Sequence, residues 1–131
     1  MIRGVMIDVN TYDVSEVSLP EARSEMLEAI RRYLDCEAVT VGAVLANGDR
    51  LYVNANAIFE SLHYFKHPLV KIPLPGSAVL VGSIAKDNAA DAKSLAGVLR
   101  ELIVFLDRWD ALEWMLSMPE EDPMPFRALA A

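Results

Sequence analysis

Apolar and polar positions alternate loosely over residues 2–9, through Ile2, Val5, Ile7 and Val9, and a period of two predicts a strand. Asn10 to Asp13 reads as a turn, and residues 14–18 as a short returning strand. The period then lengthens. Ala22, Met26, Ala29, Ile30, Tyr33 and Leu34 recur at three and four residues, which puts them on one face of a helix over 20–34. Ser18 is placed to cap its first amides, and Glu21 to reach back and close a capping box. Pro20 is tolerated in a first turn, where the amides lack partners anyway.

Residues 39–45 and 49–53 flank Ala46, Asn47 and Gly48 and read as a β-hairpin. A two-residue loop would set Val41 and Ala43 against Asn54 and Tyr52. A three-residue loop with Gly48 left-handed sets them against Val53 and Leu51, and Gly42 and Val44 against Tyr52 and Arg50. A one-residue slip inverts every side chain, so matching apolar to apolar selects the three-residue loop.

Residues 54–67 are ambiguous. Ile58, Phe59, Leu62 and Phe65 have helical spacing, and Pro68 would end such a helix. Residues 70–74 form a short extended piece, and Pro75-Gly76 suits the centre of a type II turn. Residues 77–85 are apolar at consecutive positions, which predicts a central strand covered on both faces. Residues 86–93 read as a polar connection.

The last periodic stretch is 95–116. Leu95, Leu102, Trp109 and Leu116 repeat every seven residues, as do Val98, Phe105 and Leu112, which predicts one long helix with a heptad seam. Leu95, Leu102, Phe105, Trp109 and Leu112 then form either a core face against helix 20–34 or a dimer seam against a second copy. The prolines of residues 118–131 preclude regular structure, so an extended or disordered tail follows a single domain over 1–117. The fold expected is α+β: a mostly antiparallel sheet of four to five strands packed against helices 20–34 and 95–116.

Composition narrows the picture. With 131 residues, 53% of them hydrophobic, the chain can bury one core without metal or disulfide help. One cysteine, Cys36, excludes an internal disulfide and fits a reducing, cytoplasmic setting. The first residues lack the pattern of a signal peptide, since Asp8 interrupts a short apolar run. No stretch approaches the roughly 18 to 20 apolar residues of a membrane helix. Net charge is −7 and the basic residues are scattered, which argues against direct nucleic-acid binding. The acidic surface leaves mimicry of a nucleic acid open, although the acids do not cluster into two rows.

Leu51-Tyr52-Val53-Asn54, the stretch from Pro75 to Gly82 and Lys93-Ser94-Leu95 carry a resemblance to a known family. Over residues 2–105 the chain resembles the domain of unknown function 3846 family of small phage, plasmid and bacterial proteins. It departs from that pattern in the segment 58–69 and in the aromatic C-terminal stretch. The resemblance implies no catalytic residue. It implies an accessory protein of a mobile element that acts by binding a host or competitor protein, as an inhibitor or regulator of the anti-defence type.

Candidate chemistry is sparse. His63 and His67 would share a helix face, but zinc needs a third ligand and packing residues surround them, so no metal is expected. Cys36 lies past a helix C-terminus between Asp35 and Glu37, a setting that raises a thiol pKa rather than activating it. No glycine-rich phosphate loop and no G-x-S-x-G occurs. A non-enzymatic protein without a cofactor is the expectation. Its alternatives are a homodimeric structural or small-ligand-binding module and an acidic nucleic-acid mimic. Partner contact falls to large anchors: Trp114 and Met115 on the late helix, Phe126 in the tail, and Tyr64 and Phe65 beside Lys66.

Overall fold

A computed structural model describes residues 1–118. Strands β1 (Ile2–Asp8) and β2 (Asp13–Leu19) form an antiparallel pair, followed by helix α1 (Arg23–Leu34). Strands β3 (Val39–Val44) and β4 (Arg50–Asn54) form the hairpin. A short helix α2 (Ala57–Glu60) leads to β5 (His63–Lys66) and β6 (Leu74–Pro75). Then come β7 (Ala78–Val81) and a small hairpin, β8 (Ile84–Ala85) with β9 (Asn88–Ala89). Helix α3 (Ala96–Leu102), β10 (Val104–Asp107) and α4 (Arg108–Leu116) complete the order. The fold is α+β, and no helix among the described residues is long and apolar enough to cross a membrane.

The main sheet has five antiparallel strands in the order β2-β1-β7-β4-β3. β7 sits at its centre, and all four of its residues are buried. Val5, Leu80 and Leu51 lie side by side across three strands, as do Met6, Val79 and Tyr52. The first row faces one core, with Phe65, Leu99 and Ile103 over it. The second faces the other core, with Met26 and Ile30 of α1 over it. The consecutive apolar run around β7 therefore has cover on both sides, as its composition required.

The edges are closed differently. Arg100 of α3 donates from Nη2 to the Val14 carbonyl at 2.6 Å and so occupies an acceptor on the β2 edge. β3, the other edge, pairs with no further strand among the described residues and is irregular. The hairpin loop has Gly48 at φ 95, and Ala43 and Val44 face Leu51 and Arg50 as the three-residue loop requires. Beyond them a bulge at Gly42 shifts the register, so Val41 faces Tyr52, and Thr40 faces Val53. Bulges of this kind interrupt an edge that another strand could otherwise extend.

Three expectations are corrected. The stretch 95–116 is not one helix. It is α3, then β10, then α4. Ile103, Val104 and Phe105 are β-branched and aromatic, and pairing with β5 outweighs the heptad spacing. Asp107 then restarts the helix, its Oδ1 accepting from the Asp110 amide at 2.7 Å. The spacing of Ile58, Phe59, Leu62 and Phe65 likewise does not make a helix to Pro68. α2 ends at Glu60, and Tyr64 and Phe65 point to opposite sides of β5. Finally, Ser18 does not cap α1, because it lies in β2 opposite Arg3. The helix starts at Arg23, whose amide donates to the Asp87 carbonyl in the β8–β9 turn at 2.8 Å. That turn, within the segment expected to be a plain connection, has Lys86 and Asp87 at φ 50 and 62.

Candidate functional site

β5 is the middle strand of a second, three-stranded sheet in the order β10-β5-β6. Phe65 and Phe105 pair across it and face the main core. Side chains alternate along a strand, so Tyr64, Lys66, Val104 and Leu106 face outward. Helix α4 lies over that outer side. Its Ala111 is fully buried, and the Trp114 ring receives Lys66 Nζ at 5.7 Å from its centroid. Lys66 Nζ also donates to the His67 carbonyl at 2.7 Å, and burial lowers its pKa.

The cover is partial. Between β5 and α4 runs a groove of about 710 Å³ lined by Leu62, His63, Tyr64, Asp107, Arg108, Trp109, Leu112 and Met115. Trp109 is 74% exposed on its rim, and Leu62 63%. Phe59 of α2, three residues before Leu62, is 84% exposed.

A second pocket of about 390 Å³ begins on the same two residues, Leu62 and His63. Its other walls come from the end of α1, from β4, from α2 and from Ser77. Asp35 stands at the C-terminus of α1, at φ 49. Glu60 Oε2 accepts from Asn54 Nδ2 at 3.1 Å, and Asn54 Oδ1 accepts from the Asn56 amide at 2.9 Å. Ser77 Oγ accepts from the Val9 amide at 3.0 Å. Gly76, at φ 76, makes the turn beside them. A side chain there would meet Ser61 Oγ at 2.9 Å.

Two buried polar residues lie away from both cavities. Asp49, fully buried, accepts from the amides of Lys93 and Ser94 at 2.8 Å each and from Ser94 Oγ at 2.6 Å. It fastens the hairpin tip to the segment that enters α3. His67 is 1% exposed, and its Nδ1 accepts from the Leu69 amide at 3.0 Å. That bond requires an unprotonated Nδ1 and hence a neutral ring. Burial lowers its pKa, the Lys66 charge lowers it further, and Asp49 opposes both. Its Nε2 has no partner among the described residues.

The expected contact residues separate into groups. Tyr64 and Met115 line the groove, and Trp114 is half covered beside it. Phe65 is corrected: it is fully buried in the main core and offers no surface to a partner. Phe126 lies outside the described residues. Of the seam, Trp109 and Leu112 line the groove, Phe105 packs inward, and Leu95 and Leu102 are exposed on α3. They do not share one helix. His63 and His67 do not share a helix face either, and among the described residues no group of three or more His, Cys, Asp or Glu is arranged to hold a metal ion. Cys36 has its pKa raised chiefly by burial, with Glu60 and Asp35 adding to the shift, and its thiol donates to the Ala38 carbonyl at 3.5 Å. Sequence reasoning gave Asp49 no role and did not bring Asp35 and Glu60 together. Only the Asn47-Gly48-Asp49 turn hinted at the first, because a buried carboxylate is identified by distant donors rather than by neighbours in sequence. Compared with family models, curated proteins and solved structures, the chain matches none of them.

Proposed function

We propose that this chain is a non-catalytic protein that binds a segment of another protein in the groove between β5 and α4. The observation that carries the reading is Trp109, 74% exposed on the rim of a groove of about 710 Å³ that Leu62, Leu112 and Met115 also line. Tryptophan in such a position combines a large apolar surface with a hydrogen-bond donor and is the commonest kind of binding anchor. A monomer gains nothing from leaving that surface in water. The setting implied by the family resemblance, a mobile-element accessory protein acting on a host or competitor protein, belongs to the same proposal.

Immobilised protein should capture one stoichiometric protein from a bacterial host lysate. Trp109→Ala and Leu112→Ala should abolish the capture while lowering the thermal melt by no more than a few degrees. Equal capture by wild type and variants would overturn the role of the groove.

A second reading has its own observation. Leu95, at the start of α3, and Val98 and Leu102 within it are each about half exposed, at spacings of three and four residues. A second copy packing there would bury them. Sedimentation should then show a dimer that Val98→Ser converts to monomer, and a strict monomer at all concentrations excludes this reading.

A further inference from the structure

The groove ends where the polar pocket begins. Leu62 and His63 line both, so an occupant of one lies directly beside the other. The two have opposite characters. The groove offers Trp109, Leu112 and Met115. The pocket is electronegative: it holds the carboxylates of Asp35 and Glu60, and among the described residues no lysine or arginine lines it.

Three features make that negative charge available. Asp35 makes no side-chain hydrogen bond or ion pair among the described residues, and Glu60 uses only Oε2, toward the neutral Asn54 amide. α1 has 12 residues and points its C-terminus, the negative end of its dipole, toward the pocket through Leu34 and Asp35. Of the two cations in the last turn of that helix, Arg31 is engaged by Glu28 Oε1 at 2.8 Å and the Glu37 carbonyl at 3.4 Å, and Arg32 lines a different pocket beside Met1 and Ser18. The net charge of −7 adds a long-range attraction for cations.

We infer that the occupant is a partner segment carrying a lysine or arginine close to a large apolar side chain, the cation entering the Asp35–Glu60 pocket while the apolar group fills the groove. This rests on the proposed function and specifies the partner chemistry for the same site. Charge complementarity selects it: an acidic segment would be repelled by the two exposed carboxylates, and an uncharged one would gain nothing from them.

The test selects peptides from a random twelve-residue display library on the immobilised full chain, then measures one selected peptide by fluorescence anisotropy. Enriched sequences should place Lys or Arg within about three residues of Trp, Phe, Leu or Met. The double variant Asp35→Asn/Glu60→Gln should bind the peptide at least tenfold more weakly, and raising salt should weaken wild type but not the variant. Both substitutions preserve the fold, since asparagine tolerates the left-handed backbone at 35 and a glutamine oxygen still accepts from Asn54. Trp109→Ala reports on the groove independently. Peptides without a basic preference, or full binding by the double variant, overturn this inference and leave the groove reading standing. Loss of binding in neither variant overturns both. No enriched peptide at all overturns the inference, with lysate capture deciding the broader reading separately. A groove closed by a second copy, seen as a dimer that Trp109→Ala dissociates, also overturns it.

Discussion

The two sheets of this molecule use apolar residues in opposite ways. In the five-stranded sheet Val79 and Leu80 of β7 have neighbours on both strands beside them and a layer above or below. In the three-stranded sheet one side joins that core through Phe65 and Phe105, while the other is covered by one short helix that leaves Trp109 in water. The first arrangement spends its hydrophobic surface on stability. The second retains some of it, and retained apolar surface next to a groove is what recognition requires. If that division is correct, the same Leu→Ala change has different consequences in the two sheets.

Leu80→Ala gives the largest effect. The side chain is fully buried between Val5 and Leu51, so its removal leaves a cavity that neighbours on both strands cannot close. A loss of about 3 to 5 kcal/mol is expected in urea unfolding. Leu112→Ala, at the groove, should cost less than about 1 kcal/mol, because that leucine is already 43% exposed. Equal losses would mean that the groove is an ordinary part of the core.

Asp49→Ala comes next, and it tests how the two regions are joined. Removal of the carboxylate strands the Lys93 and Ser94 amides, both of which it accepts from at 2.8 Å. Buried donors left without partners cost on the order of 1 to 3 kcal/mol each, and these two bonds are part-buried, so a loss of about 2 kcal/mol is expected. Asp49→Asn keeps one acceptor oxygen and should fall between. Hydrogen exchange should speed up most at the start of α3. A uniform change across the chain would deny Asp49 its local fastening role.

This difference between regions also explains what could be read from the sequence. Strands β1, β2, β4 and β7, most of α1 and the hairpin at Gly48 were legible, because buried elements must show their period. The stretch 95–116 misled because Leu102, Phe105, Trp109 and Leu112 keep heptad spacing while serving two helices and a strand. Spacing carries structural information only where both neighbours bury the same face, and Trp109 buries only about a quarter of its surface. The cap at Asp107 was visible in sequence but hidden behind the heptad pattern. The pocket of Asp35 and Glu60 was not legible at all, since α1, β4 and α2 bring those residues together only in the folded chain.

A smaller effect follows from pH. His67 is held neutral beside Lys66 and Asp49, with a folded pKa below the ordinary 6.5. A depressed folded pKa means that the unfolded chain binds the proton more readily. Stability is then complete above pH 6.5 and falls as pH drops toward the folded value, at no more than about 1.4 kcal/mol per pH unit. His67→Asn should flatten the change between pH 7 and 5.5, because an asparagine oxygen can accept from the Leu69 amide in the same i, i+2 geometry without titrating. An unchanged slope in the variant would assign the acid sensitivity to other groups.

The smallest expected effect on stability is the most informative about the comparison. Trp109→Ala removes one of the two tryptophans of the outer helix, yet 74% of that side chain already lies in water. Its folded contacts amount to about a quarter of its surface, so unfolding free energy should change by less than about 0.5 kcal/mol. Alanine also has the higher helix propensity at this position near the start of α4, which offsets part of the lost contact. Partner capture should nevertheless disappear, since a rim tryptophan acts by being buried upon binding. The two measurements must separate. A variant that loses several kcal/mol of stability would show that Trp109 packs within the fold, and the division between a sheet that stabilises and a sheet that binds would then fail at its most exposed residue.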